Sequence, residues 1–99
     1  MAGAKLVIQN GGFDGMEYAL EAEETLIGRN PTTDVTLLDE NISREHALIL
    51  FDPESGVYTI EDLQSTNGTK VNGKGIRSHA LEPGDEIQIG HTRFQFVRS

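Results

Sequence analysis

Residues 86 to 96 read Glu86-Ile87-Gln88-Ile89-Gly90-His91-Thr92-Arg93-Phe94-Gln95-Phe96. Apolar side chains alternate with polar ones on both sides of Gly90-His91-Thr92, and a period of two belongs to a strand with one buried face. The same spacing recurs at Tyr18, Leu20 and Ala22, at Val35 and Leu37, and at Tyr58 and Ile60. No window of helical length spaces its apolar residues at three and four. Turn formers interrupt the chain throughout, among them Asn10-Gly11-Gly12, Asn30-Pro31, Asp52-Pro53, Asn67-Gly68, Asn72-Gly73 and Pro83-Gly84. Many short strands punctuated in this way predict an all-β sandwich or barrel.

The 99 residues, 10.8 kDa, suffice for one core, so a single domain over 1–99 is expected. Eight Lys and Arg against sixteen Asp and Glu leave a net charge of -8. That balance repels a phosphodiester backbone and argues against nucleic acid as the partner. The absence of cysteine excludes disulfides, a thiolate nucleophile and sulfur-ligated zinc, and it fits a reducing compartment. The start, Met1-Ala2-Gly3-Ala4-Lys5-Leu6-Val7-Ile8, has no basic n-region and too short an apolar run for a leader or a membrane span. A cytoplasmic, monomeric protein with no membrane contact is the expectation, and the sequons at Asn41 and Asn67 are read as chance.

One stretch departs from the acidic balance. From Gln64 to Ala80 the chain carries Lys70, Lys74 and Arg77 and no carboxylate. It reads either as an anion-friendly surface or as a lysine-protected hairpin edge.

Three blocks stand out. Residues 27 to 46 read Ile27-Gly28-Arg29-Asn30-Pro31-Thr32-Thr33-Asp34-Val35-Thr36-Leu37-Leu38-Asp39-Glu40-Asn41-Ile42-Ser43-Arg44-Glu45-His46. Residues 60 to 73 hold Asp62-Leu63-Gln64-Ser65-Thr66-Asn67-Gly68 and then Asn72-Gly73, and residues 81 to 90 run from Leu81 through Gly84-Asp85 to Ile87, Ile89 and Gly90. Taken together, Gly-Arg, Ser-x-x-His, Asn-Gly and the final Leu-to-Gly segment resemble the forkhead-associated (FHA) domain family. The likeness runs from about Lys5 to Val97. It implies an eleven-stranded sandwich of two mainly antiparallel sheets, with loops at one end that bind phosphothreonine in a partner protein phosphorylated by a Ser/Thr kinase.

A phosphothreonine carries about -1.5 to -2 charges and three acceptor oxygens, so its receptor needs charged and hydroxyl donors free of competing carboxylate. Arg29 offers a planar fork for two phosphate oxygens, and it is the expected anchor. By the resemblance, Ser43, Arg44, Ser65 and Thr66 add donors, and Asn67 pairs with the backbone of the bound peptide. Gly28, His46, Gly68 and Asn72 are implied to support the site, with the ring nitrogens of His46 tying the loops together. Asn41, Arg77 and His79 are candidates for reading the ligand beyond the phosphothreonine.

Other readings stay open on the residues alone. Ser43 could cap local amides, Arg29 could pair with Asp34 or Asp39, and Asn67-Gly68 is a strong signal for a tight hairpin turn. Ser43 and His46 could be drawn as a hydrolase pair, but neither a nucleophile elbow nor an oxyanion-hole pattern accompanies them. A purely structural sandwich without phosphate dependence is a further alternative. Gly11-Gly12-Phe13-Asp14-Gly15 is neither a dinucleotide fingerprint nor a Walker loop, and it reads as a turn between the first two strands. His79 and His91 lack ligand spacing, so neither a metal site nor a cofactor is expected.

Overall fold

The computed structural model describes residues 3–98. Eleven strands follow one another: β1 (Ala4–Ile8), β2 (Glu17–Ala19), β3 (Glu24–Gly28), β4 (Val35–Thr36), β5 (Ala47–Asp52), β6 (Val57–Asp62), β7 (Thr69–Val71), β8 (Lys74–Ile76), β9 (Ser78–Leu81), β10 (Glu86–Ile89) and β11 (Thr92–Arg98). They form a six-stranded sheet of order β2-β1-β11-β10-β7-β8 and a five-stranded sheet of order β4-β3-β5-β6-β9. One short 3-10 turn at Gly11–Phe13 connects β1 to β2, where a turn is expected. No helix among the described residues is long and apolar enough to cross a membrane.

The alternation of residues 86 to 96 becomes β10, a two-residue turn and β11, with Ile87 opposite Phe94 and Ile89 opposite Thr92. Ile87, Ile89, Phe94 and Phe96 all point inward, and Leu6 and Ile8 continue that face on β1 opposite Phe96 and Phe94. Ile27, Ile49 and Ile60 supply the opposing face from the second sheet. Each such side chain stabilises the fold by about 1.5–3 kcal/mol relative to exposure. Alternation fails only locally: Leu20 is buried past the end of β2, while Ala22 faces solvent.

Among the described residues all strand pairs are antiparallel except β3 with β4. A parallel pair ordinarily needs a long crossover. Here only two residue pairs form, Ile27 with Val35 and Gly28 with Thr36, so residues 29–34 suffice to bring the chain back. That compact return is one of the loops at the functional end.

The two Asn-Gly pairs behave differently. Asn72 and Gly73 both have positive φ, 52° and 82°, and close the β7–β8 hairpin between Val71 and Lys74. At Asn67-Gly68 only the glycine has positive φ, and no hairpin forms, because β6 belongs to the five-stranded sheet and β7 to the six-stranded one. The hairpin signal at Asn67-Gly68 is therefore overturned: the loop crosses between sheets. Lys74 lies on β8, the edge of its sheet, as the protected-edge reading expects.

Candidate functional site

Arg29 leaves the end of β3, and its position is set by the backbone. Its amide donates to the carbonyl of Ser43 (3.0 Å), and the Asn30 amide donates to that of Arg44 (3.1 Å). The approach is close. A Cβ on Gly28 would stand 2.1 Å from the Arg44 carbonyl oxygen, so only glycine lets β3 and the 37–46 loop meet here. The buried Thr33 hydroxyl then cross-links the return loop, with the Asn30 carbonyl 2.7 Å away.

His46 is wholly buried and joins two loops. Its Nδ1 accepts the amide of Ser43 (3.1 Å), which assigns the proton to Nε2, and Nε2–H donates to the carbonyl of Gly68 (2.8 Å). The neutral ring thus holds the 37–46 and 63–68 loops at fixed spacing. Two further bonds stitch the same loops. The Thr66 amide donates to Ser43 Oγ (3.1 Å), and Asn67 Nδ2 donates to the Asn41 carbonyl (2.8 Å).

Asp62 organises the 63–68 loop from below. Its carboxylate accepts the Ser65 hydroxyl (2.5 Å), the Ser65 amide (3.1 Å) and the Thr69 hydroxyl (2.8 Å). Partial burial pushes this carboxyl up, but the bonds from Ser65 and Thr69 outweigh it and hold the pKa below its ordinary value. Asp39 plays a similar part on the other side. It accepts the amides of Asn41 (2.8 Å) and His91 (3.0 Å), which lower its pKa and tie the β10–β11 turn to the 37–46 loop.

The structure therefore brings Arg29, Ser43, Arg44, Thr66 and Asn67 together. The Arg29 guanidinium donates through Nε to the Ile42 carbonyl (3.0 Å), and its two Nη groups have no partner among the described residues. Neither Asp34 nor Asp39 pairs with it. Asp34 accepts the Leu26 amide, and Asp39 is engaged as above. Arg44 likewise has no carboxylate partner among the described residues, and both arginines border a depression of about 230 Å³ with Asn30 and Pro31. Ser43 Oγ uses a lone pair on Thr66, so its O–H remains available to donate, as does the exposed Thr66 hydroxyl.

Two expected site residues are corrected. Ser65 is in the loop but turned inward, donating to Asp62 and accepting the Gly68 amide (2.9 Å), so it braces the loop and does not face a ligand. Asn72 does not reach the 63–68 loop. Its carboxamide bonds Asp85 Oδ1 (3.0 Å) and the Glu86 amide (3.0 Å), which anchors the β7–β8 hairpin to β10. His79 also faces Asp85 (3.3 Å), while Arg77 stays near the cluster through its carbonyl, which accepts the Asp62 amide (2.8 Å). Partial burial raises and the Glu82 amide, Asn72 and His79 lower the Asp85 pKa, with a net fall. The hydrolase drawing fails on geometry, since the His46 nitrogens are occupied by the Ser43 amide and the Gly68 carbonyl and not by the Ser43 hydroxyl. Among the described residues no group of three His, Asp or Glu is gathered to hold a metal ion.

A sequence profile of the FHA domain matches residues 25–90, which holds every residue of this cluster. The chain belongs to the FHA domain family. Among curated relatives, the glycogen accumulation regulator GarA of Mycolicibacterium smegmatis is 39% identical over 94 residues, covering 95% of this chain and 58% of the relative. The chain spans 58–65% of the length of the first curated relatives it matches. This FHA domain also superimposes on a chain solved in a structural and functional analysis of phosphothreonine-dependent FHA domain interactions, with a TM-score of 0.86, 33% identity and coverage of 96% and 95%. A third likeness is to Mycobacterium tuberculosis EmbR in complex with a low-affinity phosphopeptide, with a TM-score of 0.87 and 37% identity over 98% of this chain and 24% of that one. Sequence reasoning missed Asp62, Asp39, Thr33 and His91, whose partners lie in other loops or are backbone atoms.

Proposed function

We propose that this FHA domain is a non-enzymatic recognition module for phosphothreonine segments of a partner protein, acting in the cytoplasm as a monomer without cofactor. The observation that carries the reading is that Arg29 and Arg44 border one depression with no carboxylate partner for either among the described residues, in a protein of net charge -8. An acidic surface that leaves two guanidinium groups unneutralised beside two available hydroxyls is arranged for an anion supplied from outside. Arg29 and Arg44 meet the charge, Ser43 and Thr66 donate to the remaining oxygens, and Asn67 Oδ1, which takes no donor among the described residues, accepts from the peptide backbone. The loops are pre-ordered by His46 and Asp62, so little ordering cost falls on binding. The likeness to chains described by phosphothreonine-dependent interaction and by a bound phosphopeptide supports the same ligand class. An oriented peptide library with fixed phosphothreonine tests it. The domain is expected to retain phosphorylated peptides and to release them after phosphatase treatment; retention unchanged by dephosphorylation would show a phosphate-independent interaction domain.

A further inference from the structure

Four large apolar side chains are exposed among the described residues, and three of them, Phe13 (71% exposed), Met16 (47%) and Leu38 (89%), border a single groove. Its volume is about 620 Å³, larger than the depression beside Arg29, and the buried Ile8 and Leu37 form its base. The groove opens where the edge strands of the two sheets leave the sandwich, with Tyr18 from β2 on one side and Thr36 from β4 on the other. Apolar residues scattered singly on a surface carry no message, but three gathered on one concavity mark a surface that another chain covers.

Two observations say which chain. First, the groove is continuous with the loop cluster. Asn41 and His91 line it and also line a cavity of about 270 Å³ that includes Asn67, and Asn67 is bonded to the Asn41 carbonyl. A peptide backbone that meets Asn67 is delivered to its mouth. Second, its border carries an unpaired carboxylate. Asp39 and Glu40 both line the groove; Asp39 is engaged by the Asn41 and His91 amides and the His91 ring (3.1 Å), whereas Glu40 has no partner among the described residues.

We propose that the groove is a second anchor for the same phosphorylated partner. It takes one or two large apolar side chains of the extended segment that carries the phosphothreonine, next to a Lys or Arg that faces Glu40. This rests on the phosphopeptide reading above and adds a second determinant to it. An extended chain advances about 3.3 Å per residue, so a domain 27 Å across is traversed within about eight residues. Linking two weak anchors on one chain strengthens binding without enlarging either.

The test uses an oriented library with fixed phosphothreonine and eight degenerate residues on each side, presented to wild type, F13S/L38S and E40K. The best wild-type sequence is then made as the full peptide and as a form cut to three residues on each side, and both are titrated. Wild type is expected to enrich Leu, Ile, Met or Phe at least four residues from the phosphothreonine. F13S/L38S should lose that enrichment and bind the full peptide about tenfold more weakly, with the short peptide unchanged within twofold. E40K should lose the preference for neighbouring Lys or Arg. Equal affinity of wild type for full and short peptides, or full-peptide binding by F13S/L38S within twofold of wild type, overturns the proposal while leaving the phosphopeptide reading intact. Binding that ignores the phosphate in every variant overturns both. Wild-type self-association in sedimentation velocity that F13S/L38S abolishes assigns the groove to a second copy and overturns it also.

Discussion

The amide of Thr66 donates a 3.1 Å hydrogen bond to the hydroxyl oxygen of Ser43, 23 residues earlier in the chain. That bond joins loops that begin on different strands of the five-stranded sheet, and it leaves both hydroxyl hydrogens free. The consequence is a pair of donors held at one spacing before any ligand arrives. Arg29 and Arg44 add charge beside them, fixed through Ser43 and Arg44 backbone contacts.

Arg29→Ala should weaken phosphopeptide binding at least tenfold with the fold retained, because charge-assisted hydrogen bonds contribute about 1.5–3 kcal/mol each. Arg29→Lys should recover only part, since an ammonium cannot make the forked contact. Calorimetry on the three proteins checks the order, and an alanine variant that binds like wild type would place the anchor elsewhere.

His46→Ala should cost about 3 kcal/mol of stability, because it opens a cavity and leaves the Ser43 amide and the Gly68 carbonyl without partners. Urea unfolding measures the loss. Where the variant is still folded, peptide affinity should fall as well, although His46 lies out of reach of a ligand.

Gly28→Ala introduces a Cβ 2.1 Å from the Arg44 carbonyl, and backbone on both sides must move. A destabilisation of about 1–3 kcal/mol is expected for such overpacking. The displaced Arg44 should also bind phosphate less well, so thermal melting and calorimetry should fall together.

Much of this was legible beforehand, and what was not has a common physical cause. Alternation at Ile87, Ile89, Phe94 and Phe96 is a local signal and placed the core correctly. Gly28, Arg29, Ser43, His46 and Thr66 were legible because they stand in a spaced pattern. Asp62 and Asp39 look like any surface carboxylate until the amides and hydroxyls they accept are brought to them, and Asp39 meets His91 across 52 residues. Asn67-Gly68 misled as a hairpin because the change of sheet between β6 and β7 leaves no trace in the turn residues. Ser65 and Thr66 are chemically alike and adjacent, and only the fold decides that one faces inward.

Acid should loosen the loops. Asp39, Asp62 and Asp85 all titrate below their ordinary values when folded, so around pH 4 the unfolded chain binds more protons than the folded one. Stability contributed by these groups is therefore fully present above the unfolded carboxylate range and is lost as pH falls through their lower folded values. Melting temperature should drop in that window, and Asp62→Asn should be less stable at neutral pH with a shallower acid decline. An equal slope in the variant would remove Asp62 from the account.

The most direct test of phosphothreonine recognition is an NMR titration with three matched peptides that carry threonine, phosphoserine or phosphothreonine in the same sequence. Shifts centred on Arg29, Ser43, Arg44, Thr66 and Asn67 are expected with the phosphothreonine peptide, none at equal concentration with the unmodified one, and at least several-fold weaker binding of phosphoserine. The threonine methyl alone is worth about 0.8 kcal/mol by transfer. Equal binding of the phosphorylated and unmodified peptides, or shifts that avoid those five residues, would contradict phosphothreonine recognition at this site.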